Sequence, residues 1–85
     1  MHNVILYGTL GCHLCEQAEN LLQPLLASAR VSMRVVDIGD SDELMERYGV
    51  RIPVLQREDD GGELGWPFDE QIVWDFLLQL SAQKL

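Results

Sequence analysis

Two cysteines, Cys12 and Cys15, stand three positions apart in the run Gly11-Cys12-His13-Leu14-Cys15, and they are the only thiols in the chain. The apolar run Asn3-Val4-Ile5-Leu6-Tyr7 precedes them and reads as a buried strand. A segment of helical periodicity follows. Both cysteines therefore fall on the first turn of a helix that begins where a strand ends. Side chains three apart on one helical turn face the same way, so a small disulfide loop can close with tolerable geometry. Unpaired backbone N–H groups and the helix dipole favour an anion at the helix start. The thiolate is the reactive form of cysteine, and such settings lower a cysteine pKa to about 3.5–7.5. The pair is a candidate redox dithiol, with Cys12 as nucleophile and Cys15 as its resolving partner. His13, when protonated, would support the Cys12 thiolate and make the disulfide more oxidising.

The elements that position these residues follow from periodicity and punctuation. Residues 3 to 8 form the first strand, and Gly8-Thr9-Leu10-Gly11 is a turn. Residues 12 to 29 form the first helix, with Cys15, Ala18, Leu21, Leu22, Leu25, Leu26 and Ala29 as its apolar stripe. Pro24 removes a backbone hydrogen bond inside that helix; because the stripe continues past it, a kink is expected rather than an early end. Residues 31 to 37 form a second strand, parallel to the first through a right-handed crossover. Asp40 or Ser41 caps a short helix over 42 to 48, with Glu43 spaced from Asp40 as in a capping box and Gly49 as the stop. The stretch Val50 to Arg57 opens a third strand, where Pro53 is tolerated at its first position. Residues 54 to 66 read as a hairpin around the Glu58-Asp59-Asp60-Gly61-Gly62 turn, with a short fourth strand at 63 to 66. Asp69 caps the last helix, Phe68 staples onto Val73, and Ile72, Val73, Phe76, Leu77 and Leu80 form its buried stripe. The tail from Ser81 is expected to fray. Tyr7 and Trp66 are read as packing residues.

The 85 residues are expected to form one domain, 1–85, with nearly half of them hydrophobic and thus enough for a core. The longest apolar runs are far too short to span a bilayer. The start of the chain, Met1-His2-Asn3-Val4, has no basic region and no cleavable apolar segment, so no secretory signal and a cytoplasmic location are expected. In that compartment a close cysteine pair is more often catalytic or metal-binding than structural. The net charge of −8, with only six basic residues, argues against nucleic acid as a partner.

The order βαβ, short helix, ββα, with Cys-X-X-Cys opening the first helix and Ile52-Pro53 before the third strand, resembles the thioredoxin fold in its glutaredoxin-sized form. The similarity covers nearly the whole chain and is closest to small glutaredoxin-like proteins. It implies an α/β fold with a four-stranded mixed sheet and helices on both faces. It further implies that Pro53 is cis and lies beside the dithiol, and that Ile52 offers its backbone to an extended substrate. The implied activity is thiol–disulfide exchange on a disulfide-containing protein or a glutathione mixed disulfide, by a monomer. No tightly bound cofactor is expected, and glutathione is the candidate electron donor. The chain departs from glutaredoxins in having His13-Leu14 where they carry Pro-Tyr. Gly61-Gly62 precedes the fourth strand instead of following it, and no basic residue stands just before the cysteines. Arg51, two residues from Pro53, is left as the candidate anion contact. Two other classes remain open. One is a metal or iron–sulfur carrier, for which two chains of a dimer would share Cys12 and Cys15, since tetrahedral sites want four ligands. The other is a non-catalytic binding module using the Ile52-Pro53 edge.

Overall fold

Alternation along the first strand, β1 (Asn3–Gly8), decides the architecture. Val4 and Leu6 point to one face and Ile5 and Tyr7 to the other, and all of them are buried. A strand buried on both sides needs a cover on each. In the computed structural model, which describes the backbone of residues 3–82 and the side chains of residues 3–78, the covers are helices. The helices α1 (His13–Ala29) and α3 (Glu70–Ala82) pack Ala18, Leu22, Leu26, Val73 and Phe76 onto the Val4 and Leu6 face. Opposite them, α2 (Asp42–Tyr48) sets Tyr48 and Leu44 over Ile5 and Tyr7.

The sheet order is β2-β1-β3-β4, with β2 spanning Ser32–Asp37, β3 Val54–Arg57 and β4 Glu63–Gly65. β2 runs parallel to β1, while β3 and β4 complete the sheet as an antiparallel hairpin. Gly8 stands opposite Asp37, Tyr7 opposite Val54, and Val54 opposite Gly65. This register brings the turn after β1, the segment before β3 and the turn after β4 to one end of the sheet.

Local chemistry sets the element ends. Arg30 closes α1 in the left-handed region at φ 58°, and the Val31 N–H donates to the Leu26 carbonyl at 2.9 Å. The helix runs unbroken through Pro24 and does not end there. The cap of α2 is Ser41, whose Oγ accepts from the Leu44 N–H at 3.2 Å. Asp40 lies instead in a 3-10 turn, Ile38–Asp40, so the third helical position is Leu44 and the Asp40–Glu43 capping box does not form. Gly49 ends α2 in right-handed geometry; a Cβ there would run into the Met45 carbonyl oxygen. Asp69 caps α3 as expected, accepting from the Ile72 N–H at 2.9 Å, and Phe68 and Val73 share the core.

Three expectations need correction. The third strand begins at Val54, one position after Pro53, and the stretch from Val50 stays outside it because Tyr48 draws the N–H groups of Arg51 and Ile52 back to its carbonyl. The fourth strand ends at Gly65, which leaves Trp66 in the following turn. Ile72 is 42% exposed, since it lies one helical step off the face that Val73, Phe76 and Leu77 present to the core. The Leu80 side chain and residues 83–85 of the tail fall outside the described residues, while the backbone of Ser81 and Ala82 continues α3.

Leu22→Ala should cost about 2–5 kcal/mol by opening a cavity between α1 and the sheet. Ile72→Ala should cost less than about 1 kcal/mol. Urea titrations of both variants check the difference.

Candidate active site

The dithiol is built by the junction between β1 and α1. Gly11 takes φ +77°, a left-handed angle that glycine adopts without strain, and turns the chain toward the helix. Cys12 is the N-cap residue of α1, in extended conformation. Its sulfur accepts from the Cys15 N–H at 3.1 Å, one of the amides that a helix start leaves without an internal partner. The two sulfurs are joined as a disulfide, with Cα atoms 5.2 Å apart, inside the usual span of about 4.4–6.8 Å. An N–H directed at a sulfur favours a thiolate there over a thiol. Exposure separates the partners: Cys15 is buried, at 8%, whereas Cys12 is only half-buried.

Gly8 makes room for the inner sulfur. A Cβ at this position would lie 3.0 Å from Cys15 Sγ and 3.1 Å from Cys15 Cβ. The Gly8 backbone is not left-handed, so the lack of a side chain matters here for space alone.

The other residues singled out in the sequence gather partly at the same end of the sheet. The Ile52–Pro53 bond is cis, and Pro53 is fully buried one position before Val54, which pairs with Tyr7. The Ile52 N–H donates to the Tyr48 carbonyl at 3.2 Å, and the Pro53 carbonyl accepts from the Trp66 N–H at 3.2 Å. The Trp66–Pro67 bond is cis as well, which nothing in the sequence reading anticipated. Trp66 packs edge-on against Phe68 at 5.0 Å. His13 is 92% exposed, with Nδ1 3.8 Å from a Glu16 carboxylate oxygen. Arg51 donates to Glu63 at 2.8 Å and lies 5.4 Å from the Tyr48 ring centre, so its charge already has partners.

Glu63 and Tyr48 are the residues that sequence reasoning missed. The Tyr48 hydroxyl donates to Glu63 at 2.6 Å, and its ring stacks on Tyr7 at 4.4 Å. Tyr7 in turn donates to Gln56 at 2.9 Å. This chain of contacts ties α2, the segment before Pro53 and the two hairpin strands to the end of β1. Burial, then the hydrogen bond to Glu63, pushes the Tyr48 phenol up to about 12. The bond from Tyr48, helped by Arg51, holds Glu63 below its ordinary value. Partners separated by 15 positions leave no local pattern, so only the packing of α2 against the sheet reveals them.

Among the described residues, no three of His, Cys, Asp and Glu come together as a metal site, and no helix is long and apolar enough to cross a membrane. A metal centre on Cys12 and Cys15 would therefore need ligands from a second molecule.

The glutaredoxin-like domain family (DUF836) matches residues 3–78. The crystal structure of protein XcR50 from X. campestris is 40% identical, covering 87% of this chain and 93% of that one, with a TM-score of 0.73. The solution structure of Ne2328 from Nitrosomonas europaea is 28% identical over 88% of this chain and 89% of that one, with a TM-score of 0.76. Thioredoxin O2 from Arabidopsis thaliana, in its oxidized state, is similar at 20% identity over 94% of this chain and 75% of that one, with a TM-score of 0.66. At that identity the likeness speaks for the fold alone. No curated protein matches the chain.

Gly8→Ala should crowd Cys15 more in the disulfide, where its rotamer is locked, than in the dithiol. The variant should be easier to reduce, which a glutathione redox titration against the unmodified chain would read. The Tyr48 phenol titrates higher in the folded than in the unfolded chain, so its contribution is complete below pH 10 and lost as pH rises toward 12. Stability should fall by about 2–3 kcal/mol across that window. Tyr48→Phe should remove this alkaline loss in urea titrations at several pH values. For Glu63 the sign is opposite: its contribution is present above its ordinary value of 4.5 and is lost on acidification below it.

Proposed function

The chain belongs to the glutaredoxin-like domain family and has the thioredoxin fold, and from that premise we propose that it is a thiol–disulfide oxidoreductase. The observation that carries the reading is the Cys12 sulfur at the start of α1, facing the Cys15 N–H at 3.1 Å and joined to the Cys15 sulfur. A helix-start sulfur with a directed N–H donor is the setting of a reactive thiolate.

The Cys12 thiolate attacks one sulfur of a substrate disulfide. The substrate S–S bond breaks, its second sulfur leaves as a thiolate and takes up a proton, and Cys12 is left in a mixed disulfide. Cys15 loses its proton and attacks Cys12 Sγ, which releases the first substrate sulfur as a thiol and closes the Cys12–Cys15 disulfide. The substrate gains two electrons and the dithiol loses them; two glutathione thiols, oxidised together, are the candidate source that restores it. The half-buried Cys12 is the partner that a substrate can reach, and the buried Cys15 can act only on Cys12. His13, at the first helical position, adds positive charge near the nucleophile when protonated.

Substrate positioning falls to the Ile52–Pro53 segment. Ile52 turns its N–H to Tyr48, and its carbonyl oxygen is the group that would accept from an extended substrate. The compartment that fits is the cytoplasm, where a close thiol pair is kept reduced and can turn over.

Cys12→Ser should abolish disulfide reduction, and Cys15→Ser should accumulate a mixed disulfide through Cys12, read as a mass adduct that dithiothreitol removes. Trapping by Cys12→Ser instead would reverse the roles. Equilibration of the unmodified chain in graded glutathione buffers should give a reversible intramolecular disulfide within about −270 to −120 mV. If no disulfide forms in any buffer, the reading fails.

A further inference from the structure

A groove of about 240 Å³ opens beside Cys15, on the side of β1 that faces β2 and away from the Ile52–Pro53 segment on the β3 side. Leu6, Val35 and the inner cysteine make its apolar lining. Leu10 and Val35, 89% and 52% exposed, stand at its mouth. Glu16, Glu19 and Asp37 supply its charge, and among the described residues no arginine lines it. Among the described residues, a protonated His13 offsets Glu16 alone. Glu16 lies 3.8 Å from His13, Glu19 accepts from the neutral Gln23 amide, and Asp37 accepts from the Gly39 N–H. Among the described residues, no lysine or arginine is paired with any of the three.

The size and charge of the groove select its occupant. Small-molecule sites run to about 300–1,000 Å³, so this groove is below that class and holds roughly one long side chain. An apolar lining with a carboxylate rim suits an aliphatic stem that ends in a cation. Glutathione, with more carboxylates than amines, meets like charge here. We infer that the groove docks a lysine or arginine side chain of a protein partner, so that the substrate of the dithiol is a cysteine pair set in a basic segment. This rests on the oxidoreductase reading for the substrate's role, though not for the docking itself.

The test uses two synthetic peptides with the same internal disulfide, one flanked by lysines and one by glutamates. At low salt the unmodified chain should reduce the lysine-flanked peptide with kcat/KM about tenfold higher, and salt of about 0.5 M should collapse the ratio. Glu19→Lys should lower the ratio at least about threefold through KM, with kcat unchanged. Glu46→Lys makes the same charge change on an exposed position of α2 and should lower it much less. A ratio near one, or equal losses in the two variants, overturns the proposal, because the preference would then be absent or would belong to the overall acidic field. If the unmodified chain reduces neither peptide, the oxidoreductase reading fails instead. Docking is then read by NMR titration with a lysine-rich peptide that lacks cysteine. Shifts at the Glu16, Glu19 and Val35 amides that vanish in Glu19→Lys uphold the groove, and unmoved amides overturn it.

Discussion

Both faces of β1 are buried, with Val4 and Leu6 under α1 and α3 and Ile5 and Tyr7 under α2. Each such aliphatic side chain contributes about 1.5–3 kcal/mol by leaving water. The constraint reaches outward. The strand is also flanked on both sides within the sheet, by β2 and β3. Its end is then fixed in depth, and the turn that follows must deliver α1 from that fixed point. The redox pair is the first thing the chain meets after the strand, and its position inherits the rigidity of the core.

Position and chemistry meet at Gly8 and Cys12. Cys15 belongs to the buried stripe of α1 and would be crowded by the strand end if residue 8 carried a side chain. Cys12 is one step outside the helix, where backbone amides lack partners and a sulfur anion is welcome. One thiol is therefore held by packing and the other is activated by the helix start. The opposite wall is held differently. Tyr48, Glu63 and Arg51 tie the segment before Pro53 to β4 through charge-assisted hydrogen bonds, so that wall depends on ionisation as well as on burial. The hairpin is clasped in the same manner at its far end. There the buried Arg57 donates to Asp60 and to the Phe76 carbonyl, and lies over the Phe76 ring.

The sequence by itself determined the order of elements, the placement of Cys12 and Cys15 at the start of the first helix (though Cys12 caps it from outside), and most of the core. These are local properties: apolar periods of two and of three to four residues, caps such as Asp69, and turn residues such as those at 58–62. Where two choices had equal local merit the packing decided between them, as when Ser41 rather than Asp40 capped α2 and the Asp40–Glu43 capping box did not form. Ile72 read as core because periodicity tolerates a residue at the margin of a stripe. Only the tertiary structure decided the contacts between distant elements. The Tyr48–Glu63 pair, the space at Gly8 for Cys15, the pairing of Arg51 with Glu63 and the acidic groove between α1 and β2 all require two elements to be docked first. No residue encodes such a contact alone, because each distance is set by the packing of everything between the partners.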